Sequence, residues 1–276
     1  MFFKIPPGYW PTSSALTFAG AFLLALTLII SCGAPEQTEQ SEQIDQPVQT
    51  DQDSFSAGNE EGFEPLFNGR DLTGWDGDDR FWSVQDGVIV GETSPDNLSE
   101  ANTFLIWEGG EPGNFETRFD YRFVIVGDEN YGNSGFQIRS EQFTDSDNPD
   151  LIYRMRGYQA DFAISDWIPG IHYEEGKREI LARRGERVLI DNNGERHPER
   201  FAEEAELGSH ITHTEWNSYR VEAIGDTIRS SINGQLMHEL IDQSPQSSQS
   251  GLIAFQLHSG PPMRVEIRNA RLKMLD

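Results

Sequence analysis

A chain of 276 residues, 36% hydrophobic and 11% aromatic, can bury one good core, and its length does not call for a second domain. Its formal net charge of −25 creates a field that repels phosphate backbones, which argues against nucleic acid as a partner. Cys32 is the single cysteine, so an intrachain disulfide is excluded.

The N-terminus carries a weakly positive segment (Lys4) and an apolar run, Ala15 to Ile30, about as long as a signal-peptide core. The run ends Ile29-Ile30-Ser31-Cys32-Gly33: aliphatic residues, a small residue, then cysteine, the pattern of a bacterial lipoprotein signal. Residues 1–31 are therefore expected to be a cleaved lipoprotein signal peptide, and Cys32 to carry the lipid. Several acyl chains on one residue would hold the protein stably at a membrane. A plain cleaved signal peptide, or an N-terminal membrane helix with an incidental cysteine, is the alternative. Gly33, rather than an acidic residue, directs the expectation to the outer membrane of the cell envelope, with the protein facing the periplasm or the cell surface.

Ala34 to Gly62 contains eight acids and no Lys or Arg, the composition of a disordered tether. Residues 32–62 would thus link the lipid to a domain spanning 63–276. That domain keeps 38 of the 46 acids and 20 of the 21 bases, a net charge of −18, so it is acidic in its own right.

From Phe63 onward the side chains alternate with period two. Phe115 to Phe123 switches between apolar and polar almost without error, as does Tyr219 to Ala223, and Met263 to Arg268 repeats the habit. Asp86-Gly87 and Asn233-Gly234 sit between such runs as hairpin turns. Roughly a dozen short strands with these turn signals predict an all-β antiparallel sandwich. Helical periodicity is scarce: Pro198 to Leu207 reads as a short helix with proline in its first turn, and Glu175 to Arg184 is ambiguous. Asp145 to Gly208 reads as a long irregular excursion, of the kind that carries function.

Three alternating stretches carry polar groups: Gln137 and Arg139, Gln159 and Asp161, and Gln256 and His258. Residues two apart in a strand share a face. If the three strands share a sheet, three amides, an acid, an imidazole and a guanidinium meet on one surface.

Longer segments surround these residues. They include Leu66-Phe67-Asn68-Gly69-Arg70-Asp71-Leu72-Thr73-Gly74-Trp75, Trp82-Ser83-Val84-Gln85-Asp86-Gly87 and Gly132-Asn133-Ser134-Gly135-Phe136-Gln137. Further on come Gly157-Tyr158-Gln159-Ala160-Asp161, Glu215-Trp216-Asn217-Ser218-Tyr219-Arg220 and Leu257-His258-Ser259-Gly260-Pro261-Pro262. In order and spacing the chain from about Phe63 to Leu275 resembles the 3-keto-disaccharide hydrolase domain family. The resemblance implies a concanavalin A-like (laminin G-like) jelly roll and cleavage of glycosides oxidised at C3. The commonest form of that family has a glutamate directly after the aromatic residue of the Gly-Tyr motif. Here Gln159 stands at that position, and the nearest carboxylate is Asp161.

A C3 ketone acidifies the C2 hydrogen, so a base, an enolate stabiliser and an acid suffice for elimination, and water then adds back. On this expectation Asp161 or His258 is the base, and Arg139 stabilises the enolate, alone or with a divalent metal. Tyr173, Glu174 or the second of the Asp161/His258 pair donates the proton. Gln137, Gln159 and Gln256 hold sugar hydroxyls, and Tyr158 and Trp167 offer aromatic faces to a sugar ring. Such an enzyme needs an oxidoreductase elsewhere in the cell to supply the ketone. A non-catalytic glycan-binding module is the alternative, and a docking domain for other envelope proteins the third reading.

Structural readings stand beside each residue. Arg139 and Asp161 could form an ion pair, His258 could brace the Gly260-Pro261-Pro262 turn, and Trp167 could cap the core edge. Tyr173-Glu174-Glu175 could be an exposed acidic turn, and Asn133-Ser134-Gly135 could serve to bend a strand, with Gly135 allowing close backbone approach. The residues point to no definite cofactor, while calcium or a similar divalent ion would suit two acidic clusters, Asp76/Asp78/Asp79 and Asp145/Asp147/Asn148/Asp150. Neither cluster matches a loop of defined geometry, so both read as solvated turns. His172, His197, His210 and His213 show no zinc spacing.

Overall fold

The computed structural model describes residues 61–127, 130–143, 148 and 151–276. The signal segment, Cys32 and the tether as far as residue 60 lie outside the described residues, as do Asp145, Asp147 and Asp150. In chain order the strands are β1 (Glu64–Pro65), β2 (Trp75–Asp76), β3 (Trp82–Gln85), β4 (Val88–Glu92), β5 (Thr103–Trp107) and β6 (Phe115–Val124). They continue as β7 (Asn133–Gln142), β8 (Met155–Ala163), β9 (His172–Glu175), β10 (Glu179–Ala182), β11 (Glu186–Ile190) and β12 (Arg196–Arg200). A short helix, α1 (Glu204–Gly208), precedes β13 (Asn217–Ile224), β14 (Thr227–Ile232), β15 (Gln235–Asp242), β16 (Leu252–Leu257) and β17 (Arg264–Met274).

The larger sheet runs β12-β11-β15-β14-β13-β6-β17-β4-β3, with β1 beside β17, and the smaller runs β10-β9-β8-β7-β16-β5-β2. Antiparallel pairing dominates, β11 beside β15 being parallel. The two sheets pack as the expected jelly-roll sandwich.

Alternation builds the core. On β6, Phe115, Phe119, Tyr121 and Phe123 are buried while Arg118, Asp120 and Arg122 point the other way. The Phe119 ring lies 5.3 Å from Phe136 and 5.0 Å from Phe255, both on the smaller sheet, and 5.2 Å from Tyr219 on its own. Trp75 and Trp82 belong to the same core. Outward, the larger sheet carries paired charges. Arg118 and Arg220 stand directly opposite each other across β6 and β13, a repulsive placement that Glu116 relieves by binding both, at 2.7 and 2.6 Å. Trp216 is flanked on that face by the guanidiniums of Arg122 and Arg268. Asp86-Gly87 and Asn233-Gly234 adopt positive φ at both residues, as a two-residue hairpin demands.

Two expectations need correction. Pro198 lies inside β12, an edge strand, where a missing N–H is tolerated, and the helix begins only at Glu204. Within Asp145 to Gly208, the described residues include β8 to β12 and α1 rather than a single irregular excursion, and β11 and β12 extend the larger sheet.

The interlayer also holds a histidine pair. His238 Nδ1 lies 2.9 Å from the Gly170 carbonyl, which can only accept, so Nδ1 bears the proton. His238 Nε2 then accepts from His172 Nδ1 at 3.1 Å. This leaves His172 Nε2 a buried acceptor with no partner among the described residues. Burial depresses both imidazoles, His238 to about 4. Neutral when folded and chargeable when unfolded, they favour the fold fully above about pH 6.5 and progressively less as pH falls toward 4. Urea unfolding at pH 7 and pH 4.5 should show a loss on the order of 3 kcal/mol from His238, smaller in His238→Gln.

Candidate functional site

The smaller sheet turns one face to the core and the other away from it. Phe136 and Ile138 of β7, Tyr158, Ala160 and Phe162 of β8, and Phe255 and Leu257 of β16 enter the core. Gln137, Gln159, Asp161 and Gln256 therefore occupy the opposite face. Register places Gln137 between Gln159 and Ala254, Asp161 opposite Gly135, and Gln159 opposite Tyr173. Glu175 follows two residues after Tyr173 on the same face.

This polar row is covered. Phe104, Ile106, Met155 and Ala254 form a second apolar cluster with Tyr153 and Leu252, and the Phe104 N–H donates to the Tyr153 carbonyl. The three glutamines are almost inaccessible and bind one another rather than standing open to a sugar, which corrects their expected role. Ser140 Oγ donates to Gln137 Oε1 (2.5 Å), Gln137 Nε2 to Gln159 Oε1 (2.5 Å), and Gln159 Nε2 to Asp161 Oδ1 (2.5 Å). Gln159 Nε2 also reaches Gln256 Oε1 at 3.4 Å, and Gln256 Nε2 reaches Glu175 Oε2 at 3.4 Å. An array of amides thus aims N–H groups at two carboxylates, Asp161 and Glu175. Gly135 makes room for it: a Cβ there would stand 2.6 Å from the Gln159 side chain. The close approach expected at Gly135 is thus to the Gln159 side chain.

Asp161 is 6% exposed, and burial holds its carboxyl well above the usual carboxylate range, the nearby Glu175 charge adding to the shift. Glu175 is raised as well, by burial; Asn102, which donates to it at 3.2 Å, and the charge of His258 act in the opposite sense. Tyr173 is half-buried, and burial followed by the neighbouring carboxylates raises its hydroxyl, which stays protonated at neutral pH. His258 lies just past β16. Its Nδ1 stands 2.5 Å from the Ser259 carbonyl and 3.1 Å from the Tyr131 hydroxyl. A carbonyl cannot donate, so Nδ1 carries a proton, and in the neutral ring the lone pair a base needs is then on Nε2.

Three expected residues fall elsewhere. Arg139 sits in a bulge between Ile138 and Glu141 with φ 48°, which takes it out of the alternation. Its side chain donates to the carbonyls of Gly113 (2.9 Å), Gly225 (2.6 Å) and Ser248 (3.3 Å), tying loops together. It is neither an enolate partner nor ion-paired with Asp161. Arg139→Met should cost about 3 kcal/mol in urea unfolding, as charged donors are lost from buried carbonyls, and leave turnover per folded molecule unchanged. Glu174 faces the interlayer and binds Arg178 at 2.5 Å, so it cannot act beside Tyr173. Tyr158 is buried in the core and donates to Asp242 at 2.5 Å, leaving no face for a sugar. Trp167 is 50% exposed, in the loop that returns from β8 and contributes Gly170 N–H to the Asp161 carbonyl.

Asn102, Tyr131 and Glu175 were missed. Glu175 was legible, because Tyr173 and Glu174 are adjacent in a strand and cannot share a face, whereas Tyr173 and Glu175 do. Of the acidic clusters, Asp78 is engaged by Arg80 at 2.5 Å. Among the described residues one group of three, Asp191, Glu195 and His197, brings potential metal-ligand atoms within 4.8 Å, on the β11–β12 hairpin away from the amide array.

Solved structures of similar fold include a candidate glycosyl hydrolase from Parabacteroides distasonis (19% identity over 78% of this chain and 94% of that one, TM-score 0.48). Others are a carbohydrate-binding module from Bacillus subtilis (12%, 72% and 95%, 0.46) and a β-glucanase from Bacillus licheniformis (15%, 78% and 97%, 0.41). A search of curated proteins gave no significant match. The family described as the 3-keto-alpha-glucoside-1,2-lyase-like domain matches residues 62–273, most of the chain, and the protein belongs to that family.

Proposed function

We propose that this protein cleaves C3-oxidised glycosides by elimination across C1–C2, with water completing a net hydrolysis. The observation that carries the reading is an imidazole whose Nδ1 is committed to a carbonyl, leaving Nε2 for the role of base, His258, on the same sheet face as a carboxyl that burial pushes toward its protonated form, Asp161. His258 Nε2 takes the C2 proton, and the electron pair moves onto the C3 oxygen as an enolate. The Tyr173 hydroxyl, for which no partner is seen among the described residues, donates to that oxygen, the part Arg139 cannot play from its bulge. Glu175 favours the imidazolium that forms. As the enolate collapses, the C1–O bond breaks and Asp161 protonates the leaving oxygen, giving an enone with a C1–C2 double bond. Water then adds, hydroxyl to C1 and hydrogen to C2.

The pathway requires an oxidoreductase to supply the ketone at C3. We further propose that lipidated Cys32 holds the domain in the cell envelope, residues 34–62 giving it reach from the outer membrane. Incubation of the full domain with 3-keto-trehalose, 3-keto-sucrose and a 3-keto-glucoside, with and without chelator, tests the chemistry. Release of free sugar from at least one is expected, and release from none would move the reading to a glycan-binding module.

A further inference from the structure

Asn102 stands just before β5, where that strand stops pairing with β16. Leu257 and Thr103 are the last partners in the register, so the main-chain ladder ends one residue short of His258. The Asn102 side chain takes over from it. The Ser259 N–H donates to Asn102 Oδ1 at 3.0 Å, and the Ser259 hydroxyl reaches the same oxygen at 3.3 Å. A backbone N–H can only donate, so the amide oxygen must face Ser259 and the amide nitrogen must face away. That nitrogen donates to Glu175 Oε1 at 3.2 Å. One side chain thus joins the loop after β16 to the end of β9. The segment that carries it is braced, the Ser99 hydroxyl donating to the Ala101 carbonyl at 2.5 Å.

Both partners of Asn102 act on His258. Ser259, held by its N–H and hydroxyl together, presents its carbonyl 2.5 Å from His258 Nδ1. Glu175 is half-buried, and burial pushes its carboxyl toward the neutral form. The bond from Asn102 is the largest influence in the opposite sense, ahead of the charges of His258 and Arg154 and the weaker bond from Gln256. On the same sheet face Asp161 and Tyr173 feel the Glu175 charge, and each is raised by it. Leucine at position 102 would have nearly the shape of asparagine and neither hydrogen-bonding function. Aspartate would keep the acceptor for Ser259 but set a second negative charge beside Glu175.

Resting on the reading of His258 as the base, we infer that Asn102 is a positioning residue: its single amide fixes the Ser259 carbonyl against His258 Nδ1 and orients the Glu175 carboxylate that stabilises the imidazolium. It touches no reacting atom in that reading, so its loss acts on kcat rather than on KM.

NMR of side-chain-labelled protein tests the role without reference to turnover. The Glu175 carboxyl should titrate at higher pH in Asn102→Leu than in wild type, and higher again in Asn102→Asp. The neutral His258 ring should hold its proton on Nδ1 alone in wild type and Asn102→Asp, and become a mixture of tautomers in Asn102→Leu. In wild type the Asn102 amide protons should move downfield as Glu175 ionises. In turnover of 3-keto-trehalose, Asn102→Leu should lose kcat on the order of 10²-fold with KM unchanged, as a misplaced base would. The acid limb of its pH profile should move to higher pH, because Glu175 must be ionised to favour the imidazolium and loses its charge earlier as pH falls. The NMR responses in a wild-type protein that releases no sugar would keep the role of Asn102 and refute the chemistry. Sugar release by wild type, with the Glu175 midpoint and the His258 tautomer unchanged in Asn102→Leu, would keep the chemistry and refute the role. A wild-type Asn102 amide resonance that ignores the Glu175 titration also overturns it, whether or not either variant folds.

Discussion

Asp161→Asn should lower the turnover of 3-keto-trehalose by about 10²–10⁴-fold, the range lost with a general acid. Asn keeps an acceptor for the Gln159 amide and the shape of the side chain, so the amide array survives and the proton alone is lost. The loss should depend on the leaving group: an aryl 3-keto-glucoside whose alcohol departs unaided should slow by less than about tenfold. The pH profile gives a second signature. Because burial holds the Asp161 carboxyl well above the ordinary range, it keeps its proton to higher pH than an ordinary carboxyl, and wild-type activity should fall as pH rises through the raised value. The variant should lack that limb. Stability carries the same sign: the carboxyl favours the fold below its unfolded value near 4 and loses that contribution as pH rises, whereas Asn does not titrate.

His258→Gln should be at least as damaging for both kinds of leaving group, because proton removal at C2 precedes departure of either. Gln can still donate toward the Ser259 carbonyl but offers no basic nitrogen, so the loop should keep its conformation. Equal losses, on the order of 10²–10⁴, with the disaccharide and aryl substrates would separate His258 from Asp161. Tyr131→Phe, which removes the hydroxyl 3.1 Å from Nδ1, should have a far smaller effect, since the Ser259 carbonyl already sets the tautomer.

Much of the architecture could be read from alternation and turns, because β6, β13 and β17 each present one apolar face and the Asp-Gly and Asn-Gly pairs fit two-residue hairpins. The site was only partly legible, for three physical reasons. A bulge adds a residue to β7, and period-two counting cannot see it, so Arg139 was assigned to the wrong surface. β9 buries Glu174 with Arg178, a charged pair that looks solvent-exposed in sequence, while Glu175 is the residue on the reactive face. Proline suggested a helix start at Pro198, where an edge strand tolerates it equally well. The amide array shows a further gap: three glutamines read as sugar ligands spend their hydrogen bonds on each other and on the carboxylates, a pattern that depends on register between β7, β8 and β16.

Exchange at C2 in deuterated water tests the division of labour between imidazole and carboxyl most directly. With 3-keto-trehalose and Asp161→Asn, deuterium should enter C2 at close to the rate of the wild-type reaction while little free glucose appears, and His258→Gln should abolish both exchange and release. Exchange that persists in His258→Gln, or glucose release by Asp161→Asn at the wild-type rate, would contradict the account.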